Sequence, residues 1–129
     1  MEDLESHGFK GILLPQKLFD YKSSVPVYSK VTEDSKGNDR VVFILSNDIE
    51  SYSVEIKRIV PESMNGNYYS GLENSEIIML DNVSIYVFEF EEKLSCIRFI
   101  YDEYDYLIQS DVPLSEMINT AQTILKVEE

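Results

Sequence analysis

Side chains suited to covalent or acid–base chemistry are few. His7 is the only histidine and Cys96 the only cysteine. A serine or thiolate nucleophile needs a base within hydrogen-bonding reach, so a catalytic triad would have to recruit His7 from a polar lead-in. No strained glycine elbow surrounds any serine. Cys96 lies inside the apolar run Leu94 to Tyr101, where a thiol behaves as a small hydrophobe. One histidine and one cysteine fall short of the common zinc ligand sets. The five glycines are scattered and build no phosphate-cradling loop. Two carboxylates across a cleft suffice for glycoside hydrolysis, but with 24 Asp+Glu in 129 residues adjacent pairs arise by chance. Asp102, Glu103 and Asp105 have the donor type calcium prefers. They lack the glycine and terminal glutamate of an EF-hand loop, and strand alternation sends neighbours to opposite sides. A solvated turn is the expectation there. The sequence therefore predicts no catalytic residue, no cofactor and no metal, and a protein that is not an enzyme.

What remains is the chemistry of recognition. Tyr68 and Tyr69 sit in Pro61 to Ser75, the longest irregular segment, among Asn, Gly and Ser. Large rigid rings amid adaptable polar groups have the composition of a binding loop, and irregular segments of that length are uncommon. Tyr68 and Tyr69 are the candidate partner-binding residues; the competing reading folds both rings onto the sheet. Lys+Arg number 11 against 24 Asp+Glu, a formal net charge of -13. Such a surface repels phosphate backbones and anionic membranes and suits a basic protein partner or plain solubility. The expected partner is another protein or peptide, with no nucleic acid and no membrane insertion. No window reaches the 18 or so apolar residues of a span, and the start lacks the basic and apolar regions of a signal peptide. As written, the chain reads as soluble and cytoplasmic. A membrane anchor upstream in the native protein would make the same domain extracytoplasmic. A lone cysteine forms no internal disulfide and does not report the compartment.

The elements that must position these residues follow from periodicity. Residues 1–8 are short, acidic and expected to be mobile, and residues 9–126 make one domain. A short helical turn is expected after Pro15. Ser24 to Thr32 reads as a strand placed on an edge by Pro26. Arg40 to Ser46 reads as a strand apolar on both faces, and Tyr52 to Ile59 as one with a wet face. Glu76 to Leu80, Val83 to Phe90, Leu94 to Tyr101 and Tyr104 to Gln109 follow as strands, with turns at Asp81-Asn82 and Asp102-Glu103. A two-residue loop at Asp102-Glu103 would set Phe99 opposite Tyr106 and Tyr101 opposite Tyr104; the register across residues 90–94 stays open. Leu114, Met117, Ile118, Ala121, Ile124 and Leu125 recur every three or four residues, the stripe of an amphipathic helix over 113–126. The expected fold class is α+β, a single mostly antiparallel sheet of about six or seven strands packed against one C-terminal α-helix.

Several segments of that order also carry a resemblance. Leu14-Pro15, Val41 to Asn47, Asp81 to Tyr86, Tyr106 to Ser110, Leu114 to Ile118 and Ala121 to Ile124 resemble a small uncharacterised domain of Gram-positive bacterial proteins. That domain often lies outside the cell behind one transmembrane helix and is sometimes associated with sigma-factor regulators. The resemblance spans residues 9 to 126, with Asn82 where the family has glycine and no tryptophan near Phe99. It implies an antiparallel sheet on a terminal helix and an extracytoplasmic address, and, the family having no known active-site residues, it transfers no catalytic role to this chain. The functional expectation is a non-enzymatic interaction or sensory and regulatory module. The alternative is an acidic immunity or inhibitor protein masking a basic partner, an association that electrostatic complementarity would speed.

Overall fold

The computed structural model describes residue 4 and residues 6–30, 38–58, 75–90 and 94–126. The elements in chain order are β1 (Leu13–Pro15), a 3-10 turn (Gln16–Asp20), β2 (Lys22–Ser23), β3 (Val27–Ser29), β4 (Arg40–Ser46), β5 (Ser51–Arg58), β6 (Glu76–Leu80), β7 (Val83–Phe90), β8 (Leu94–Tyr101), β9 (Tyr104–Ser110), α1 (Leu114–Ala121) and β10 (Ile124–Lys126). The main sheet runs β2-β4-β5-β9-β8-β7-β6, with β3 also on β4, and every described pairing is antiparallel. The chain is thus an α+β fold with a mostly antiparallel sheet and a helix near its C-terminus.

The sheet has eight strands because the expected edge strand is broken. Pro26 cannot donate to a ladder, so Ser24 to Pro26 interrupt it, and β2 and β3 each pair with β4 as short pieces. Ser24 keeps contact with β4 by its own means, its N–H donating to Ile44 O and its Oγ accepting from Ile44 N–H, both at 2.8 Å.

Alternation assigns one face of this sheet to the core, here the inner face. Val41, Phe43 and Leu45 of β4 lie opposite Ile56, Val54 and Tyr52 of β5, and the rows continue through Tyr106 and Ile108 to Phe99 and Ile97. All ten side chains are buried. Val42 and Ile44 point the other way and are not, so β4 has one covered face rather than the two its apolar run suggests. The hairpins follow local turn chemistry. Asp81 and Asn82 both take positive φ, 48° and 70°, which Asp and Asn tolerate and a type I′ turn demands. The turn at Asp102, with φ 59°, sets Phe99 opposite Tyr106 as expected, and the two rings stack at 4.4 Å and 10°. The register left open before β8 is Phe90 opposite Leu94.

Two layers cover the inner face. α1 lies over β7 and β8 and buries Met117, Thr120 and Ala121. It ends at Ala121, not at residue 126. The Thr123 hydroxyl and N–H both turn back to the Thr120 carbonyl, at 2.8 and 3.1 Å, and the chain leaves as β10, paired with β1. Ile124 is buried and Leu125 half exposed, the alternation of a strand.

The second cover is the N-terminal segment, a strap that places Phe9, Ile12, Leu14 and Leu18 in the core. Its backbone is held by two buried tyrosines of β9. The Tyr104 hydroxyl donates to Gly8 O at 2.9 Å and accepts from Lys10 N–H, while the Tyr106 hydroxyl accepts from Leu13 N–H, both at 3.2 Å. Gly8 has φ 93°, and a β-carbon there would collide with the Arg58 guanidinium that donates to Gly8 O. Within residues 1–8, Leu4 is 2% exposed and its carbonyl accepts from Phe9 N–H at 2.8 Å.

Candidate partner-binding surface

Tyr68 and Tyr69, with the rest of Pro61 to Asn74, lie outside the described residues. The other side chains weighed for chemistry do not converge. His7 stacks on Tyr28 at 3.7 Å between ring centroids. Tyr28 pairs with Val41 and so shares the inner face. Cys96 lies on the other side of the sheet, buried beside Gln109 Nε2 at 3.6 Å, and burial pushes its thiol pKa up. A thiol held protonated on the far side of the sheet from the sole imidazole has no activating base in it. Asp102 and Glu103 stay exposed in their turn, whereas Asp105 is turned onto the outer face and buried against Arg98. Among the described residues no group of three or more His, Cys, Asp or Glu is arranged to hold a metal ion.

One polar cluster does converge, from elements far apart in sequence. Lys17 of the 3-10 turn reaches Glu50, just before β5, at 3.1 Å and Glu116 of α1 at 3.3 Å. The Tyr21 hydroxyl donates to the same Glu50 oxygen at 2.7 Å, and Lys17 Nζ stands 5.0 Å over the Tyr52 ring. Glu116 meets Lys17 with its side chain still 41% exposed. Bonding to the neighbouring Glu116 carboxyl and the Tyr21 hydroxyl, reinforced by Lys17, outweighs burial and lowers Glu50 from its ordinary 4.5 to about 2. Burial would lower Lys17, but the Tyr52 hydroxyl and both carboxylates raise it more. Burial and the Glu50 contact push Tyr21 up to about 12, and burial pushes Tyr52 up. The Tyr52 hydroxyl is within the field of Lys17 yet has no hydrogen bond of good geometry. None of these four groups exchanges a proton near neutrality, the range in which a general acid or base must work. The cluster reads as a clasp joining the β4–β5 hairpin, the strap and α1.

That clasp has a pH signature. Glu50's folded pKa is depressed, so its contribution is fully present above about pH 4.5 and is lost as pH falls through about 2. Glu50→Gln is expected to cost on the order of 1 kcal/mol at neutral pH, discounted for the partly exposed partners. Urea midpoints of the two proteins should converge as pH is lowered through that window. A gap that stays constant would remove Glu50 as the titrating group.

The remaining surface of consequence is the outer face of the sheet. Val42, Tyr86, Phe88, Ile100 and Leu107 lie on it half buried, and Ile44, Ile77 and Met79 stand 45%, 58% and 60% exposed. Near its middle the Arg98 guanidinium makes a forked contact with Asp105, Nη2 to Oδ2 at 3.0 Å and Nε to Oδ1 at 3.4 Å. Ile77 and Met79, beside the half-buried Tyr86 and Phe88 of β7, are exposed apolar groups of the kind associated with protein contact, and Ile44 stands across the sheet from them on β4. The period-2 pattern of β4 and β6 could have pointed to it, but alternation alone does not say which face of an apolar strand is left bare.

Comparison of the chain with protein-family models, with curated proteins and with solved structures finds no match.

Proposed function

We propose that this chain is a non-enzymatic protein-interaction module, regulatory or sensory in role, whose outer sheet face receives another protein. The observation that carries the reading is the one-sided cover of the sheet among the described residues. α1 and the strap lie on the inner face, and Ile44, Ile77 and Met79 are presented on the other. The shifts of Glu50, Lys17, Tyr21 and Tyr52 away from neutrality support a structural over a catalytic role for the clasp. The family resemblance supports the same role and an extracytoplasmic address. The second reading, an acidic immunity or inhibitor protein, is favoured by the net charge of -13.

The test begins by isolating and purifying a partner captured by the native protein. Binding is then measured with wild type, with Ile44→Lys on the outer face, and with Asn119→Lys on the exposed side of α1. Ile44→Lys should weaken binding by about tenfold or more with an unchanged melting temperature, and Asn119→Lys should not. Equal binding by all three would overturn the outer-face reading. For the inhibitor reading, the association rate should fall steeply as salt is raised.

A further inference from the structure

We infer that the edge of β6, which among the described residues pairs with no strand but β7, accepts an extended segment of a basic protein partner as an added antiparallel strand. This rests on the interaction reading above and names the contact and its chemistry. The two edges of the main sheet are built differently. The β2/β3 edge carries Lys22 and Lys30 and is broken at Pro26, devices that blunt an edge against pairing. The β6 edge has none of them. Among the described residues β6 pairs only with β7, and its sequence Glu-Ile-Ile-Met-Leu contains neither lysine nor proline.

The hydrogen-bonding groups of this edge point outward at defined residues. Arg58 N–H donates to Asp39 O, so the inner-facing residues of β5 turn their backbone groups toward β4. Carried across the paired registers, this alternation points Glu76, Ile78 and Leu80 at β7 and leaves the N–H and C=O of Ile77 and Met79 on the open side. The exposed side chains of those same two residues lie on the outer face, ready to flank an incoming strand.

Charge selects the occupant. Residues 76–90 hold Glu76, Asp81 and Glu89, all exposed, and no lysine or arginine. Glu76 and Glu89 share the inner-face alternation, opposite to Ile77 and Met79. On β6 the inner-facing row is Glu76, Ile78 and Leu80. An added strand that sets apolar residues beside Ile77 and Met79 therefore meets a carboxylate at Glu76, with Glu89 one strand further in on β7. Lysine or arginine at that end of the strand meets both. A second copy of the chain would bring another -13 of charge to the contact.

The probe is a synthetic extended peptide alternating lysine with valine, followed by amide NMR and hydrogen exchange on the intact chain. Saturable shifts should centre on residues 76–80, and exchange at the Ile77 and Met79 amides should slow by about tenfold or more. Binding should fall by a similar factor with Ile77→Lys plus Met79→Lys, with a peptide N-methylated on its pairing edge, and with a glutamate–valine peptide. Both substituted positions are exposed, so the double variant keeps its fold. Shifts on Ile44 and Leu107 with β6 unmoved would overturn the added strand while leaving the interaction reading intact. Equal binding of the N-methylated peptide, or no binding at low salt, would also overturn it. So would self-association through β6 that the double variant abolishes.

Discussion

Ala121→Asp should leave the chain largely unfolded at room temperature. Ala121 is fully buried in the last turn of α1, the element that covers β7 and β8. An aspartate there brings a carboxylate into the apolar core, a cost of several kcal/mol. Added volume in a packed interface costs a further 1–3 kcal/mol or so. Domains of this size are stable by roughly 5–15 kcal/mol, so the two effects remove most of the margin. Asn119→Asp adds the same charge on the exposed side of the helix and should shift stability by less than about 0.5 kcal/mol. Circular dichroism and urea midpoints measure both. Matching midpoints would mean that α1 does not pack as described.

Phe99→Ala is expected to cost about 3–5 kcal/mol by cavity formation and lost transfer energy. Phe99 is fully buried and stacked on Tyr106, so some 0.5–1.5 kcal/mol of ring contact goes with it. The loss should spread to the strap, because the Tyr106 hydroxyl that holds Leu13 N–H is aimed by the ring that Phe99 supports. Tyr101→Ala, two residues along the same face but partly exposed, should cost about 1 kcal/mol or less. Amide exchange at Leu13 distinguishes local release of the strap from global unfolding. Equal costs at positions 99 and 101 would contradict the assignment of this row to the core.

The strands between Glu76 and Ser110 and the turns at Asp81-Asn82 and Asp102-Glu103 were legible because their signals are local, whereas the register across residues 90–94 was not. Asp81-Asn82 and Asp102 take left-handed backbone that their side chains tolerate, and a two-residue loop fixes Phe99 opposite Tyr106. The end of α1 was not legible, since Ile124 satisfies the period of a helix and that of a strand alike. Only Leu125, exposed beside buried Ile124, separates them. The clasp around Lys17 was invisible for another reason. Its partners Glu50 and Glu116 lie 33 and 99 residues away, and no local pattern encodes that meeting. Strand order is equally non-local, so neither the exposed apolar groups of the outer face nor a β6 edge that pairs only with β7 among the described residues could be placed from spacing. The one binding proposal the sequence made, at Tyr68 and Tyr69, falls outside the described residues.

The pairing of β1 with β10 has a kinetic consequence. Gln16 N–H donates to the Thr123 carbonyl and lies near its hydroxyl, groups 107 residues apart in the chain. Closing so large a loop costs little more free energy than closing one half as long, about 0.6 kcal/mol per doubling. Its effect falls on rate, since contacts of high sequence separation form slowly and late. On the ribosome the strap emerges first, yet Tyr104 and Tyr106 follow it by some ninety residues, and Ile124 by more. Until Tyr104 and Tyr106 are made, the apolar side chains of the strap have no β9 to dock on. Mutations that loosen the strap should therefore lower the yield of folded protein in the cell before they lower its melting temperature.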